Sequence, residues 1–221
     1  ADEHMNAILQ VWYPGARGGK AAADILFGAC SPSGKLPVTF YRDLEGFPAF
    51  EDYSMKGRTY RYLEKEPLYP FGYGLTYGRV EVRSATCESV SAKTPDLEKN
   101  GQGTAEMSMS DGDRSVAVQA VLENTGEYDT DEVLQAYIHA EDSAFAPLHP
   151  SLCAFTRVNL KAGEKKEVSL TIPASALTIV DEEGRRYVDG THFGLYVGIS
   201  QPDERSAELT GTRPMKIEIT L

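Results

Sequence analysis

The sequence predicts a mainly β protein: a β-sandwich preceded by an incomplete α/β segment and an irregular connector. Three observations predict this. After Arg79 several stretches alternate apolar and polar residues with a period of two, the signature of half-buried strands. Turn signals separate those stretches: "ENTGEYD", "KAGEKK", "DEEGRR" and "VDG". Up to Gly78 the grammar is different, rich in Gly, Pro and aromatics.

The first element is residues 1–40. Ala7 to Trp12 ("AILQVW") reads as a short buried strand. Lys20 to Phe27 reads as a helix, with Gly18 or Gly19 ahead of it and Gly28 as its stop. Ala21, Ala22 and Ala23 are strong helix formers. Ser31 to Phe40 ("SPSGKLPVTF") holds two prolines and a turn glycine, so it is expected to be extended or turned. One strand, one helix and a long irregular run cannot bury a core of their own. The expectation is that this segment wraps something or is the tail of a domain whose beginning is missing. Residues 41–78 form the connector, marked by the aromatic run "YRYLEKEPLYPFGYGLTY" from Tyr60 to Tyr77.

Residues 79–221 form the sandwich. Strands are expected at Val116–Leu122, Val133–Ala140 and Leu152–Leu160. Further strands carry Val168, Leu170 and Ile172, then Phe193, Leu195, Val197 and Ile199, then Ile217, Ile219 and Leu221. About seven short strands at this spacing argue for a sandwich. The Cys…Trp…Cys pattern of immunoglobulin domains is absent, so a fibronectin type III-like sandwich fits better. Ser91 to Asp113 is polar and is expected to be a long loop or weak hairpin.

Composition excludes several classes. The chain has 221 residues and a net charge of −11, with no Lys/Arg-rich block, which argues against a nucleic-acid partner. No apolar run approaches the ~20 residues that span a bilayer, so no membrane association is expected. The N-terminus "ADEHMNAILQ" shows no signal-peptide pattern, and no asparagine begins an Asn-x-Ser/Thr acceptor. Cys30, Cys87 and Cys153 are odd in number and far apart. They read as free thiols and lean toward a reducing, cytoplasmic compartment.

The candidate sites thin out on inspection. The glycine-rich stretch "YPGARGGKAAADILFG" (Tyr13 to Gly28) suggests a phosphate cradle. Gly19 and Lys20 fit the end of a P-loop, but Pro14 replaces its leading glycine and Ala21 its hydroxyl. The four histidines form no metal-binding spacing, and "DGDRS" at Asp111 carries Val116 where a calcium loop needs glycine. No metal and no cofactor are expected. The acidic clusters "YDTDE" and "DEEG" fall at turns, and no Gly-x-Ser-x-Gly elbow is present. The aromatic run could stack on sugar rings, or it could anchor the connector to neighbouring domains; the anchoring role carries more weight.

Three blocks together resemble glycoside hydrolase family 3, of the β-glucosidase and β-xylosidase type. "AILQVWYPGARGGKAAADILFGACSPSGKLPVTF" (Ala7 to Phe40) is similar to the end of that family's α/β-sandwich domain. "GRTYRYLEKEPLYPFGYGLTY" (Gly57 to Tyr77) is similar to the connector that follows. "VLENTGEYDTDEVLQAYIHA", "LCAFTRVNLKAGEKKEVSLTI" and "GTHFGLYVGIS" resemble its fibronectin type III-like domain. The resemblance implies a retaining O-glycosyl hydrolase acting on terminal non-reducing β-D-glucosides or xylosides with two carboxyl groups. It places the nucleophilic aspartate in a separate (β/α)8 barrel and the acid/base glutamate upstream of the "WYPG" block. Neither is carried over, so no catalytic residue is assigned and this chain is expected to be inactive alone, with a structural, domain-packing role. The implied partners are the remaining barrel and sandwich domains of the parent enzyme and its β-linked oligosaccharide substrate. The Tyr53 to Arg61 loop is expected near the substrate entrance, with Arg58 and Tyr60 as the residues picked. An exposed edge in residues 1–40 would favour a homodimer. The alternative is a stand-alone fibronectin-like module that grips carbohydrate or protein, which needs exposed aromatics such as Tyr137 and Tyr196 on the sandwich face.

Overall fold

The computed structural model describes residues 3–87 and 115–221. The Ser91–Asp113 segment and the Asp111–Arg114 part of the calcium-like stretch lie outside the described residues.

Helix α1 spans Gly18–Leu26. It begins earlier than expected and takes in both glycines. Gly28, at φ 75°, ends it in the left-handed region where glycine has no steric penalty. Lys20 and Asp24 pair at 2.6 Å one turn apart. No residue of α1 is buried; Leu26 and Phe27 are 67% and 89% exposed.

The expected strand at Ala7–Trp12 is not formed. The segment is irregular, and Ile8, Val11 and Trp12 are each about half exposed. A strand needs a neighbour to share its ladder, and among the described residues none pairs with this one. Ser31–Phe40 is extended and turned as expected, with a single bridge from Phe40 to Tyr69. A short helix, α2 (Thr59–Tyr62), interrupts the connector.

The sandwich follows. Strands β1 (Val80–Cys87), β2 (Val116–Asn124) and β5 (Lys165–Ile172) form one antiparallel sheet in the order β1-β2-β5. Strands β3 (Thr130–Ala140), β4 (Ser151–Leu160), β8 (His192–Gly198) and β9 (Met215–Thr220) form the other in the order β4-β3-β8-β9. A two-stranded ribbon, β6 (Ile179–Val180) with β7 (Arg186–Tyr187), lies between β5 and β8 in sequence. Helix α3 (Glu204–Thr210) links β8 to β9. Leu221 falls beyond β9 and is 38% exposed, contrary to the expected strand.

The core lies between the sheets. Val116, Val118, Ala120 and Leu122 from β2 meet Leu134, Ala136 and Ile138 from β3 and Leu195 and Val197 from β8. β2 alternates buried and less buried residues, as a strand with one solvated face should. β3 does not: Leu134 through Ile138 are all buried. Its second face is covered, and the connector is what covers it.

Candidate functional site

The seam between the connector and β3 is where residues far apart in sequence converge. Tyr60 stacks on Phe71 with ring centroids 4.2 Å apart and planes 10° apart. Both meet the Tyr137 ring edge-on, at 6.3 and 6.5 Å. The Tyr60 oxygen accepts a hydrogen bond from Leu152 N at 3.0 Å. Tyr69 and Tyr73 stack in a second pair at 5.7 Å. Tyr77 donates to the Ile25 carbonyl at the end of α1 (2.7 Å). The aromatic run is therefore an anchor: large rings bury much area while their hydroxyls find partners.

A polar lattice runs beneath it. Tyr137 donates to Gln135 Oε1 at 2.6 Å, and Gln135 Nε2 donates to the Gly72 and Ile199 carbonyls, both at 3.0 Å. Burial pushes the Tyr137 phenol well above its usual pKa of 10.0, so it stays a proton donor. Gly72 has φ 75°, and any Cβ there would collide with Tyr137 Oη and Gln135 Oε1. The connector backbone can approach β3 this closely at position 72 only because the residue is a glycine.

Nearby, Lys35 and Glu132 form an ion pair at 2.7 Å with side chains only 9% and 3% exposed. Lys35 also donates to the Gly74 carbonyl (2.7 Å), and Glu132 accepts from Val133 N (2.7 Å). Burial raises the Glu132 pKa, and the Lys35 charge opposes that rise. Ser31 Oγ and Thr130 Oγ1 share a hydrogen bond at 2.7 Å. On the other flank His149 Nε2 donates to the Leu63 carbonyl at 2.8 Å and His149 N to Arg61 O at 3.0 Å. These groups are occupied with one another and tie the connector to the sandwich.

The two residues picked for a substrate entrance sit at different places. Tyr60 lies inside the aromatic anchor. Arg58 sits over the Phe47 ring at 5.0 Å and donates to the Ala49 and Asp52 carbonyls at 2.8 and 2.9 Å. It pins the loop between Phe47 and Gly57. Thr59 between them has φ 55°, an uncommon value for a β-branched residue, and its N–H donates to Tyr41 Oη at 2.9 Å. This loop, the Tyr41–Gly46 stretch before it and residues 63–66 line an open cleft of about 610 Å³.

Tyr137, offered as an exposed aromatic, is wholly buried under the connector; Tyr196 is half-buried with Lys216 over its ring. Sequence reasoning missed Lys35, Glu132, Gln135 and Gly72. For Glu132 and Gln135 the one advance signal is a run of buried-type and polar residues on both parities of β3 ("EVLQAYIHA"); Lys35 and Gly72 carry none.

Fold and seam together define a fibronectin type III-like domain with an N-terminal segment locked onto its four-stranded sheet. Residues 1–77 match the Glycosyl hydrolase family 3 C-terminal domain, and residues 132–201 match the Fibronectin type III-like domain. A xylan 1,4-beta-xylosidase of Xylanibacter ruminicola is 39% identical over 212 residues, which cover 95% of this chain and 22% of that protein. A periplasmic beta-glucosidase of Salmonella typhimurium is 30% identical over 90% of this chain and 25% of its own length. The structure of beta-glucosidase 3B from Thermotoga neapolitana superposes with a TM-score of 0.71 at 30% identity, covering 96% of this chain and 27% of that one. The chain belongs to glycoside hydrolase family 3, as a C-terminal portion of that architecture. It spans about a quarter of the length of the curated relatives it matches.

Proposed function

We propose that this chain is the C-terminal docking unit of a longer retaining β-glycosidase that hydrolyses terminal non-reducing β-D-glucosides or xylosides. In this reading residues 31–77 are a strap. The sandwich clamps the strap through Lys35–Glu132 and the Tyr60–Phe71–Tyr137 cluster, and so holds the preceding segment in place. The chain itself contributes packing and no catalytic carboxyl group.

The observation that carries this reading is a contrast in burial. Residues 31–36 and 58–74 are tied down at the seam, whereas Tyr13 and Phe27 ahead of them and Phe50 and Tyr53 in the loop between them are each about 90% exposed or more. Large apolar side chains left this far in solvent suit a surface covered by another protein layer. The family match of residues 1–77 and the beta-xylosidase and beta-glucosidase relatives support the rest of the parent enzyme as that layer. Mass spectrometry of the native gene product tests it. A product several times heavier than 24.2 kDa is expected; a native product of that mass would sink the proposal.

A further inference from the structure

We propose that the pocket between α2, the β3–β4 loop and the segment following β5 binds a small carboxylate that carries one aromatic ring. Three parts of the chain build the pocket: Arg61 and Tyr62 from the connector, side chains within residues 138–153, and residues 173–180 together with Arg186. Its volume of about 330 Å³ lies at the small end of ligand pockets, which suits one ring on a short chain.

Charge sets the sign of the ligand. The chain carries 33 Asp and Glu against 22 Lys and Arg, yet among the described residues two arginines and no carboxylate line this pocket. The cleft beside the Phe47–Gly57 loop is the contrast, since five carboxylates line it against three cations. Arg61 lies over the Tyr60 ring at 5.9 Å, and its guanidinium makes no hydrogen bond or ion pair among the described residues. At the start of β7 two adjacent arginines divide. Arg185 takes Asp181 at 2.7 Å and Glu183 at 2.8 Å. Arg186 donates instead to Thr178 Oγ1 at 3.0 Å and pairs with no carboxylate among the described residues. Thr178 is itself fixed, donating to Ser175 O at 2.6 Å. Most N–H groups of both guanidinium forks are left over, and a carboxylate is the planar acceptor that such a fork matches. Glu141 lies 3.4 Å from His139, a lining residue, but stays outside the lining and is held by Lys216 at 3.1 Å.

The rest of the lining sets the body of the ligand. Ile138, Leu177 and Phe193 are buried core residues, and Phe145 is an exposed aromatic at the same pocket. An apolar lining with a few convergent polar groups is the usual make-up of a small-molecule site. A bare inorganic anion would engage the arginines and leave the apolar surface wet, whereas an aryl carboxylate engages both. Phe145 and Phe193 offer rings on which an aromatic body can pack. The pocket is also held in advance: His149 N donates to Arg61 O and His139 Nε2 to Pro147 O, both at 3.0 Å. A site fixed before binding loses less entropy when the ligand arrives.

The test is calorimetric titration of the 221-residue chain with phenylacetate, beside phenethyl alcohol, phenethylamine and inorganic phosphate. Phenylacetate is expected to saturate with Kd on the order of 1 mM, and the alcohol and phosphate to bind about tenfold more weakly or worse. The amine is expected not to bind. Arg61→Gln and Arg186→Gln should each weaken phenylacetate roughly fivefold or more; both side chains are exposed, so the fold is kept. Phe145→Asp leaves both arginines in place and sets a carboxylate beside them, and should weaken binding at least as much. Lys166→Gln removes the same charge from an exposed position on β5 outside the lining, and should change nothing. No saturation by ~10 mM phenylacetate, or equal binding of the alcohol, the amine or phosphate, would overturn the proposal. So would binding unchanged in either arginine variant or in Phe145→Asp, or an equal loss in Lys166→Gln.

Discussion

Replacing Lys35 by Met isolates the seam's most buried charge. Lys35 lies 2.7 Å from Glu132 Oε1 and 2.7 Å from the Gly74 carbonyl. Met preserves the aliphatic stem, so the loss is that of the ammonium. Glu132 is then left 3% exposed with only the Val133 N–H, and Gly74 O loses a charged donor. Removing one partner of a buried pair costs about 3–5 kcal/mol. At this chain length that lowers Tm by about 10 °C. Urea unfolding followed by circular dichroism reads the change directly. Its pH dependence has a fixed sign. Burial already places the folded Glu132 pKa above the ordinary 4.5, and Lys35 opposes it. A carboxyl that binds its proton more tightly when folded favours folding below 4.5 and loses that contribution as pH rises through the folded value. Without Lys35 the folded value climbs further. The variant's deficit should therefore be smallest at about pH 4 and grow toward neutrality. Lys35→Met with Glu132→Leu should recover most of the loss, since an apolar pair removes the stranded charge. A single-variant cost under about 1 kcal/mol, flat from pH 4 to 8, would refute the reasoning.

Other perturbations probe the remaining parts. Gly72→Ala should destabilise by about 3 kcal/mol or more, because it combines an unfavourable φ with a collision at Tyr137 and Gln135; thermal unfolding measures it. Tyr60→Ala should cost about 3 kcal/mol and open residues 57–77 to limited proteolysis, while the β2–β5 amides keep their exchange protection. Thiol labelling at pH 8 should modify exposed Cys30 rapidly and leave Cys153 unreacted until unfolding, since burial pushes the Cys153 thiol up to about 12. Asp203→Ala removes the side chain that accepts from Ser206 N at 2.9 Å, and should cost about 1 kcal/mol in denaturant unfolding.

Much of the sandwich was legible because strands such as β2, β5 and β9 write their own alternation. Leu134, Ala136 and Ile138 sit on the core face as their spacing says. The covering of β3's other face was not legible. Gln135 and Tyr137 look like ordinary solvent-side residues until a connector over 60 positions earlier in the chain is laid across them. The Ala7–Trp12 error has the same root. Apolar content reports a preference for burial, whereas a strand also needs a ladder partner. Helix α3 was missed although Asp203 at its start and Gly211 (φ 71°) at its end are ordinary start and stop signals. Strand β1 was not singled out because only Val80 and Val82 mark its alternation before small and polar residues take over.

The central claim is that this chain docks and does not catalyse. Turnover of aryl β-D-glucosides and β-D-xylosides by the 221-residue chain, set beside that of the whole native gene product, tests it most directly. The account predicts hydrolysis with retained anomeric configuration by the whole product, and by the chain no rate above buffer. Turnover by the isolated chain would contradict it.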